Sequence, residues 1–444
     1  MVYPDSYNDK RFRRIFFIAL VVIFFTVAPV LILYSMGFRI DWENKKIIET
    51  GVVSIDIEPK EAQVYLNNIR ITKSMPIRLT NRTPGTYNLK ISLPGYKTWE
   101  KNIDIKSRQT TYIKNIILLK DSLPIAVNNS PNNIDLFLPS TDGKYILLSS
   151  VDGNVRNIEL FNSETKSFLP IFNLPSNLDY KLEWSPFDNH ILFTKFQKNT
   201  ASLNILSADD PEKIENLTIP MREKDKFYYQ WQKNSPIPTI FTNKDGKIFK
   251  FTINGDEYIF DLDSDIKWYI DELGKLWVFE NNTLKIESEK DGQNSIPLSN
   301  ISEIEKIIDI NNNRAVVMTN GQAAIVSREE NRQETINTSN FQRNPYTNEW
   351  LTWSSWELWS IYEHDKPALL NRTSDNIKSV FPLDEVGALT IINNQGITAF
   401  NPGYYVSQNL YNGEVYGASV NRQKKKIYLF GKVGSNVGLY ELDY

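Results

Sequence analysis

Residues 15–37 form an uninterrupted apolar segment, IFFIALVVIFFTVAPVLILYSMG, that contains no charged residue. As a helix, a segment of this length spans a hydrocarbon core about 30 Å thick. Pro29 lies inside it, and transmembrane helices tolerate an internal proline. The pattern therefore predicts one transmembrane helix, preceded by a short N-terminal tail of residues 1–14.

Basic residues flank this segment unequally and predict its orientation. Four basic residues lie in residues 10–14, and three lie in residues 38–46. The positive-inside rule places the N-terminus in the cytoplasm and the rest of the chain outside the membrane. A cleaved signal peptide is the alternative, but its apolar region would span about 7–15 residues before a small-residue cleavage site. The stretch YSMGFRI lacks such a site, so we expect a retained single-pass anchor in the cell membrane.

Residues 50–119 alternate apolar and polar positions in short runs, which is typical of β-strands with one buried face. Val53, Ile55 and Ile57 point to one side, and Pro-Gly pairs mark turns later in the segment. The pattern predicts a small β-sandwich of six or seven strands. Tyr96 and Trp99 are expected to cover its core, and the alternative for Trp99 is a surface on which a glycan ring stacks.

Four spaced motifs in this segment are similar to those of the PEGA domain family: GVVSIDIEPKEAQVYLN, PIRL, TPGTYNLKI and PGYKTW. The family is named for a Pro-Glu-Gly-Ala consensus, from which residues 94–96, Pro-Gly-Tyr, depart. The resemblance implies a non-catalytic β-module of envelope proteins, often found beside a membrane anchor. It supplies no catalytic residues for this chain.

Residues 121–444 read as short strands separated by Gly, Asn, Asp and Pro, and similar units recur along them. Two clear units, DLFLPSTDGKYILLSS and LEWSPFDNHILFTKF, begin at Asp135 and Leu182. A repeat of about 40–50 residues with four strands per unit predicts a β-propeller. Counting the units favours eight blades, with seven as the alternative. Residues 123–127 are expected to pair with the C-terminal strands and close the ring.

The turns in these two units, residues 140–145 and 184–188, resemble the Trp-Ser-Pro-Asp-Gly turns of TolB-like and WD-type propellers. The resemblance concerns a repeat type and implies no particular ligand. The predicted fold class is all-β: a PEGA-like sandwich and a β-propeller, preceded by one transmembrane helix.

Composition excludes several classes of function. The net charge is −3, and the excess of basic residues lies within residues 1–46, so no nucleic-acid partner is expected. The chain has no cysteine, which excludes disulfides, zinc–thiolate sites and thiol nucleophiles. The bias towards aromatic and β-branched residues favours strands.

Metal-binding signals are weak. The two histidines, His190 and His364, have no second ligand at a suitable spacing. Residues 261–265 with Glu272 imitate the spacing of a calcium loop, but Ile266 stands where the sharp turn requires glycine. An acidic loop between blades is the simpler interpretation, and we expect no metal and no cofactor.

Four of the ten tryptophans lie within ten residues: Trp350, Trp353, Trp356 and Trp359. If exposed, they would form a surface for a protein or glycan partner. If Ser354 and Ser355 form a turn between two strands, alternation divides the indoles between two faces and places most of them in the core.

These observations predict a non-enzymatic, membrane-anchored envelope protein that binds a protein or cell-wall glycan through its propeller. One alternative is a propeller glycoside hydrolase or lyase acting on envelope polysaccharide, which would need two carboxylates about 5–10 Å apart in the channel. Another is a structural stalk without a specific ligand.

Overall fold

The computed structural model describes residues 6–41, 45–197, 200–211, 214–220, 228–233, 235, 237–244, 246–252, 254–262, 266–287, 295–311, 314–327, 332–338, 340–362 and 366–444. The chain divides into two compact units, Met1–Asp121 and Ser122–Tyr444. Each unit is described by itself.

The first unit begins with one long helix, α1, Ser6–Ser35. Its portion Arg11–Ser35 has a mean hydropathy of 3.0 and is long and apolar enough to cross a membrane. The helix ends two residues before the end of the predicted segment 15–37. Gly37 explains this boundary, because its φ of 91° lies in the left-handed region where helices commonly stop.

A hairpin follows the helix directly, formed by β1, Phe38–Asp41, and β2, Lys46–Glu49. Arg39 Nη1 donates a hydrogen bond of 2.6 Å to the carbonyl of Tyr34 in the last helical turn. This bond satisfies one of the carbonyls that a helix C-terminus leaves without an internal partner.

Two sheets form the β-sandwich of the first unit. The three-stranded sheet has the order β6–β3–β9, and the four-stranded sheet has the order β5–β4–β7–β8. The strands are β3, Gly51–Glu58; β4, Gln63–Leu66; β5, Ile69–Ile71; β6, Ile77–Arg82; β7, Gly85–Ser92; β8, Trp99–Ile105; and β9, Thr110–Ile117. Strands β3 and β9 pair in parallel, and the other strand pairs of the sandwich are antiparallel.

The sandwich core confirms the predicted alternation. Val53, Ile55 and Ile57 are buried, and the residues between them along β3 are less so. Trp99 is only 2% exposed, so it belongs to the core and cannot stack on a glycan. Tyr96 is half-buried and forms an isolated bridge with Lys120.

The described residues of the second unit form eight four-stranded antiparallel sheets, which we number 1 to 8. Sheets 1 to 4 consist of β11, Ile134–Pro139; β12, Tyr145–Asp152; β13, Val155–Asn162; β14, Ser167–Pro175; β15, Tyr180–Trp184; β16, His190–Gln197; β17, Thr200–Ser207; β18, Ile214–Pro220; β19, Tyr229–Trp231; β20, Thr239–Lys244; β21, Lys247–Thr252; β22, Gly255–Asp261; β23, Trp268–Ile270; β24, Leu276–Glu280; β25, Thr283–Ile286; and β26, Ile296–Pro297.

Sheets 5 to 8 follow the same pattern. They consist of β27, Lys306–Ile310; β28, Arg314–Thr319; β29, Gln322–Ser327; β30, Arg332–Asn337; β31, Asn340–Arg343; β32, Trp350–Trp353; β33, Glu357–Ile361; β34, Ala368–Arg372; β35, Ile377–Pro382; β36, Leu389–Asn393; β37, Gly396–Asn401; β38, Val406–Asn412; β39, Val415–Asn421; β40, Lys426–Val433; β41, Asn436–Asp443; and, in sheet 8, β10, Ile125–Ala126.

Sheet 8 closes the ring with strands from both ends of the unit. Its order is β10–β41–β40–β39, and Ile125 pairs with Glu441 while Ala126 pairs with Tyr440. The predicted closure by residues 123–127 is confirmed. Closure removes a free sheet edge that would otherwise invite pairing with another chain.

Apolar clusters join neighbouring sheets around the ring. Separate clusters lie between sheets 1 and 2, 2 and 3, 3 and 4, 4 and 5, 5 and 6, 6 and 7, and 8 and 1. Sheets 7 and 8 meet through Tyr444, whose hydroxyl donates to the carbonyl of Leu383 at 3.0 Å. Each sheet is thus packed against two neighbours, and the second unit is a closed β-propeller.

The repeated turns stabilise these sheets locally. In the turn of residues 140–145, the backbone N–H of Lys144 and the hydroxyl of Ser140 both donate to Asp142 Oδ1, at 2.9 and 2.7 Å. Gly143 follows with a φ of 73°, in the left-handed region that favours glycine. The Ser-x-Asp-Gly pattern is therefore a turn built by one carboxylate.

Candidate functional site

The first strand of each sheet lies at the inner edge of the ring. Strand β11 contacts both β39 and β15, β23 contacts β27, and β35 contacts β39. Since each sheet repeats the same strand order, these inner strands run in the same direction and line a central channel. The channel has one end where the inner strands begin and another where they finish.

Two side chains meet across the channel at the end where the inner strands finish. Arg343 is the last residue of β31 in sheet 6, and Phe187 lies in the turn after β15 in sheet 2. The guanidinium carbon is 5.6 Å from the centre of the phenyl ring, within the range of a cation–π interaction. Sheets 2 and 6 are opposite each other in the ring, so this pair obstructs that end of the channel.

A second cation–aromatic pair lies at the same end. The Arg422 guanidinium carbon is 4.7 Å from the centre of the Tyr346 ring, and these residues belong to sheets 8 and 6. This contact passes over the end of sheet 7. Burial raises the pKa of Tyr444, which lies close enough for Arg422 and Tyr346 to influence its charge. The Asp384 carboxylate also acts on the Tyr444 hydroxyl, so this end of the channel carries aromatic rings together with charged groups of both signs.

Charged side chains also lie on the inner strands near the end where these strands begin. Lys181 and Glu183 are on β15, and their Nζ and Oε2 atoms are 2.9 Å apart. Lys306 is the first residue of β27 in sheet 5, on the other side of the ring. Desolvation lowers the pKa of Lys306, while the Glu183 carboxylate raises it and the Lys181 ammonium lowers it. The three charged residues therefore lie on inner strands of two different sheets, β15 and β27.

A further lysine lies on the inner strand of sheet 7. Lys378 Nζ donates a hydrogen bond of 2.5 Å to the carbonyl of Val415, on the inner strand of sheet 8. Desolvation lowers the pKa of Lys378. Lysines thus occupy the first or second position of three inner strands, β15, β27 and β35.

The carboxylates of the described inner strands each have a partner. Asp135 pairs with Arg156 at 2.5 Å, and Glu183 pairs with Lys181. Asp309 accepts hydrogen bonds from the Tyr269 hydroxyl at 3.2 Å and the Trp350 indole at 3.0 Å. Because Tyr269 and Trp350 belong to sheets 4 and 6, Asp309 ties three consecutive sheets together and serves the scaffold.

The four tryptophans predicted as a partner surface are divided by a turn. Trp353 is 5% exposed and belongs to the core between sheets 6 and 7, and Trp350 and Trp359 pack on the core between sheets 5 and 6. Trp356 lies in the turn between β32 and β33 and is 55% exposed. The four indoles therefore do not form one exposed surface, because alternation along the two strands places them on different faces. Of the four, Trp356 is the residue that remains a candidate for contact with a partner.

A polar network joins sheets 1 and 2 outside the channel. Asp209 Oδ1 accepts hydrogen bonds from the Tyr145 hydroxyl at 2.7 Å and from Lys144 Nζ at 2.9 Å. The Tyr145 hydrogen bond is the main cause that lowers the pKa of Asp209. His190 Nδ1 lies 3.1 Å from Asp188 Oδ1 beside this network. The bonds connect adjacent turns, which is a structural role.

The metal-like features fall outside a coherent site. The described residues contain no group of three or more His, Asp or Glu side chains that could hold a metal ion. His364 and residues 263–265 of the calcium-like string lie outside the described residues. Glu272, at the last position of that string, forms an ion pair with Lys233.

Sequence reasoning missed the residues that meet in the channel. Lys181, Lys306 and Lys378 are isolated lysines in the sequence, and Phe187 and Arg343 lie far apart along the chain. One signal was available: each lysine falls at the start of the first strand of its repeat. Aligning the repeats by their first strands would have placed the three lysines at one end of the ring.

A comparison with protein families identifies the first module. Residues 50–117 match the PEGA domain family, so the β-sandwich is a PEGA domain. No curated protein matches the chain. The remaining similarities are to solved structures.

Three solved structures are similar in part. An uncharacterized protein from Listeria monocytogenes is 16% identical with a TM-score of 0.40, and the match covers 65% of this chain and 98% of that chain. The β-propeller domain of the Trilobed protease from Pyrococcus furiosus is 12% identical with a TM-score of 0.37, over 82% of this chain and 97% of that chain. Hsv2 from Kluyveromyces lactis is 12% identical with a TM-score of 0.37, over 64% of this chain and 99% of that chain. Because the sequence identities are low and the TM-scores lie below 0.5, we infer no function from these three structures.

Proposed function

We propose that the chain is a membrane-anchored, extracytoplasmic binding protein of the cell envelope, whose propeller holds a protein or glycan partner at its central channel. The observation that carries the proposal is the asymmetry of the channel. One end is obstructed by the Phe187–Arg343 pair, and the other presents Lys181, Glu183 and Lys306. A small number of placed charged or polar groups is what gives a ligand site its specificity.

Binding, rather than catalysis, fits the carboxylates of the channel. A glycoside hydrolase needs one carboxyl group as a general acid and a second as a base or nucleophile, about 5–10 Å apart. Asp135, Glu183 and Asp309 are instead engaged by Arg156, by Lys181, and by indole and phenol donors. These partners hold the carboxylates in place as charged or accepting groups.

The anchor in this proposal is the helix within residues 15–37, embedded in the cytoplasmic membrane with the N-terminus inside. Support comes from the length and hydropathy of Arg11–Ser35 and from the basic residues before it. The PEGA domain follows the helix after a short hairpin. It would act as a spacer that holds the propeller outside the membrane.

The absence of cysteine makes the topology directly testable. We would introduce single cysteines, Ser6→Cys before the anchor and Ser435→Cys in an exposed turn of the propeller, and treat intact cells with a membrane-impermeant maleimide. The proposal expects labelling at position 435 in intact cells and at position 6 only after permeabilisation. The reverse pattern, or loss of residue 6 by cleavage, would contradict the proposed anchor.

The binding role is tested by filling the channel. Detergent-solubilised full-length protein would be used to capture partners from an envelope extract, alongside Lys306→Trp and the control Lys424→Trp. Lys424 lies in an exposed turn between β39 and β40, where an inner strand finishes, whereas Lys306 lies where one begins. We expect the wild type and the control to retain a partner that Lys306→Trp loses. Equal retention by all three proteins would exclude the channel as the site.

A further inference from the structure

The hairpin that follows the anchor helix presents two exposed isoleucines on one face. Ile40 of β1 lies directly opposite Ile47 of β2, and side chains directly opposite each other in an antiparallel pair lie on the same face. Ile40 is 53% exposed and Ile47 is 64% exposed. Single exposed apolar side chains are ordinary on a protein surface, whereas adjacent ones on one face indicate a contact surface.

Charge does not explain the exposure of this hairpin. Residues 38–49 contain three basic side chains and three acidic ones, so their net charge is zero. Within residues 38–41 and 46–49, the charged side chain on the isoleucine face is Glu49, which lies opposite Phe38 at the base of the hairpin. The Glu49 carboxylate accepts a hydrogen bond from the Ser107 hydroxyl. Contact through Ile40 and Ile47 would therefore be apolar, driven by the removal of their side chains from water.

The hairpin begins at the level where the hydrocarbon core would end. Residues 15–34 of the helix rise about 30 Å, which equals the thickness of that core. Phe38, the first residue of β1, follows Tyr34 closely, and the chain between them spans at most about 14 Å. The headgroup layer beside the hydrocarbon core is about 5–8 Å thick. Strand β1 therefore starts in this layer or directly above it.

Hydrogen bonds hold the hairpin at this level. Arg39 Nη1 donates to the Tyr34 carbonyl at 2.6 Å, and the guanidinium carbon lies 3.6 Å from the centre of the Tyr34 ring. Arg39 Nε donates to Asn81 Oδ1 on β6 at 2.7 Å. The Gly37 carbonyl accepts from the backbone N–H and the hydroxyl of Thr50, at 2.9 and 2.8 Å. The face that carries Arg39 is thus turned towards the helix end and the sandwich, and the isoleucine face is turned away from them.

We propose that the hairpin β1–β2 is a second membrane contact, with Ile40 and Ile47 inserted between the lipids that surround the end of the anchor helix. This inference rests on the proposed anchor and specifies how the PEGA domain meets the bilayer. Continuity with the helix identifies lipid as the partner, because an apolar face beside the end of a membrane-spanning helix opens onto lipid. An element that is apolar on one face and polar on the other is the usual form of an interfacial segment.

The test measures the depth of a fluorescent label on the full-length protein in phosphatidylcholine vesicles. The chain has no cysteine, so Ile47→Cys, Glu61→Cys and Val22→Cys each give one site for a nitrobenzoxadiazole label. Val22 lies in the middle of the apolar helix, and Glu61 is exposed beyond the far end of β3, a strand about 23 Å long. Quenching is measured with lipids that carry a nitroxide near the headgroup or deep in the acyl chain.

We expect the shallow nitroxide to quench the label at position 47, which should emit at a shorter wavelength than the label at position 61. Neither nitroxide should quench position 61, and the deep nitroxide should quench position 22. Adding Ile40→Asp to Ile47→Cys should shift the emission towards that of position 61, because a carboxylate on the same face resists entry into lipid. Ile69→Asp is the matched control, since Ile69 is 70% exposed on β5 of the sandwich, and it should leave the emission unchanged.

Absence of shallow quenching at position 47, with deep quenching at position 22, would refute the membrane hairpin and leave the anchor intact. Absence of quenching at position 22 would refute the proposed anchor itself. A shifted emission at position 47 that no lipid nitroxide quenches, and that fades as the protein is diluted with lipid, would show that a second copy of the chain covers the isoleucines, which also overturns the inference. Equal effects of Ile40→Asp and Ile69→Asp would exclude the isoleucine face as the contact.

Discussion

Substitution of Gly143 by alanine, which adds one methyl group, tests whether the ring of sheets is closed. It lies in the turn between β11 and β12 with a φ of 73°, and a Cβ added there would lie 1.9 Å from the carbonyl oxygen of Val420 in sheet 8. Gly153, in the turn between β12 and β13, has a φ of 57° and nothing within 4 Å of an added Cβ. Alanine at either position would adopt a strained left-handed backbone conformation. Only at Gly143 would the added methyl group also contact the neighbouring sheet, where sheets 1 and 8 pack together.

The magnitude follows from these two effects. An alanine in the left-handed region costs about 1–2 kcal/mol at either position. At Gly143 the added carbon also overlaps backbone atoms that cannot rotate away, and overpacking of this kind costs about 1–3 kcal/mol. We therefore expect Gly143→Ala to lower the free energy of unfolding by about 2–5 kcal/mol and Gly153→Ala by about 1–2 kcal/mol. The entropy that a glycine loses in the unfolded chain is common to both variants and cancels.

Urea unfolding of the detergent-solubilised full-length protein, followed by tryptophan fluorescence, measures this difference. Eight of the ten tryptophans lie within residues 122–444, so the signal reports mainly on the propeller. A lower urea midpoint for Gly143→Ala than for Gly153→Ala is the expected result. Equal midpoints would refute the close approach of sheets 1 and 8 at this turn, and with it the tight closure of the ring.

Three further predictions concern the core and the polar networks. Trp353→Ala should cost about 3–5 kcal/mol because this indole is buried, whereas Trp356→Ala should change stability by less than about 0.5 kcal/mol. Urea midpoints that fall equally for both variants would contradict the division of the tryptophan cluster. Tyr428→Phe removes a buried hydrogen bond of 2.8 Å to a carbonyl of sheet 1 and should cost about 1–2 kcal/mol, and an unchanged thermal midpoint would show that this bond contributes nothing. The hydrogen bond from Tyr145 is the main cause that lowers the pKa of Asp209 from 3.8. The charged carboxylate therefore stabilises the folded state at pH values above 3.8, and this stabilisation is lost as the pH falls through the pKa of the folded protein. Asp209→Asn should therefore be less stable than the wild type at neutral pH and equal to it in strong acid, and a constant difference at all pH values would exclude this linkage.

The sequence predicted the features that arise from local patterns. A long apolar segment without charges predicts a membrane-spanning helix, because a helix satisfies the hydrogen-bonding groups of its own backbone where no water is available. Period-two alternation identified the buried face of β3, and the PEGA motifs identified the sandwich around it. A repeat of about 40–50 residues with four short strands per unit identified the propeller. Turns such as that of residues 140–145, where Asp142 accepts two hydrogen bonds, mark the start of these units.

The sequence did not predict where the long helix ends or which of the clustered tryptophans is exposed. The helix stops at Ser35 because Gly37 takes a left-handed conformation, a local effect that hydropathy does not register. The tryptophan cluster posed two alternatives that composition could not separate. The position of the turn decided between them, because it set which face each indole occupies.

The repeat period and the class of fold were therefore determined by the sequence itself, because each depends on residues close together in the chain. The channel was decided only by the tertiary structure. One end joins Phe187 to Arg343, and near the other end Glu183 lies within electrostatic range of Lys306. These residues belong to opposite sides of the ring, and only closure of the ring, with sheets packed all the way round, makes them neighbours.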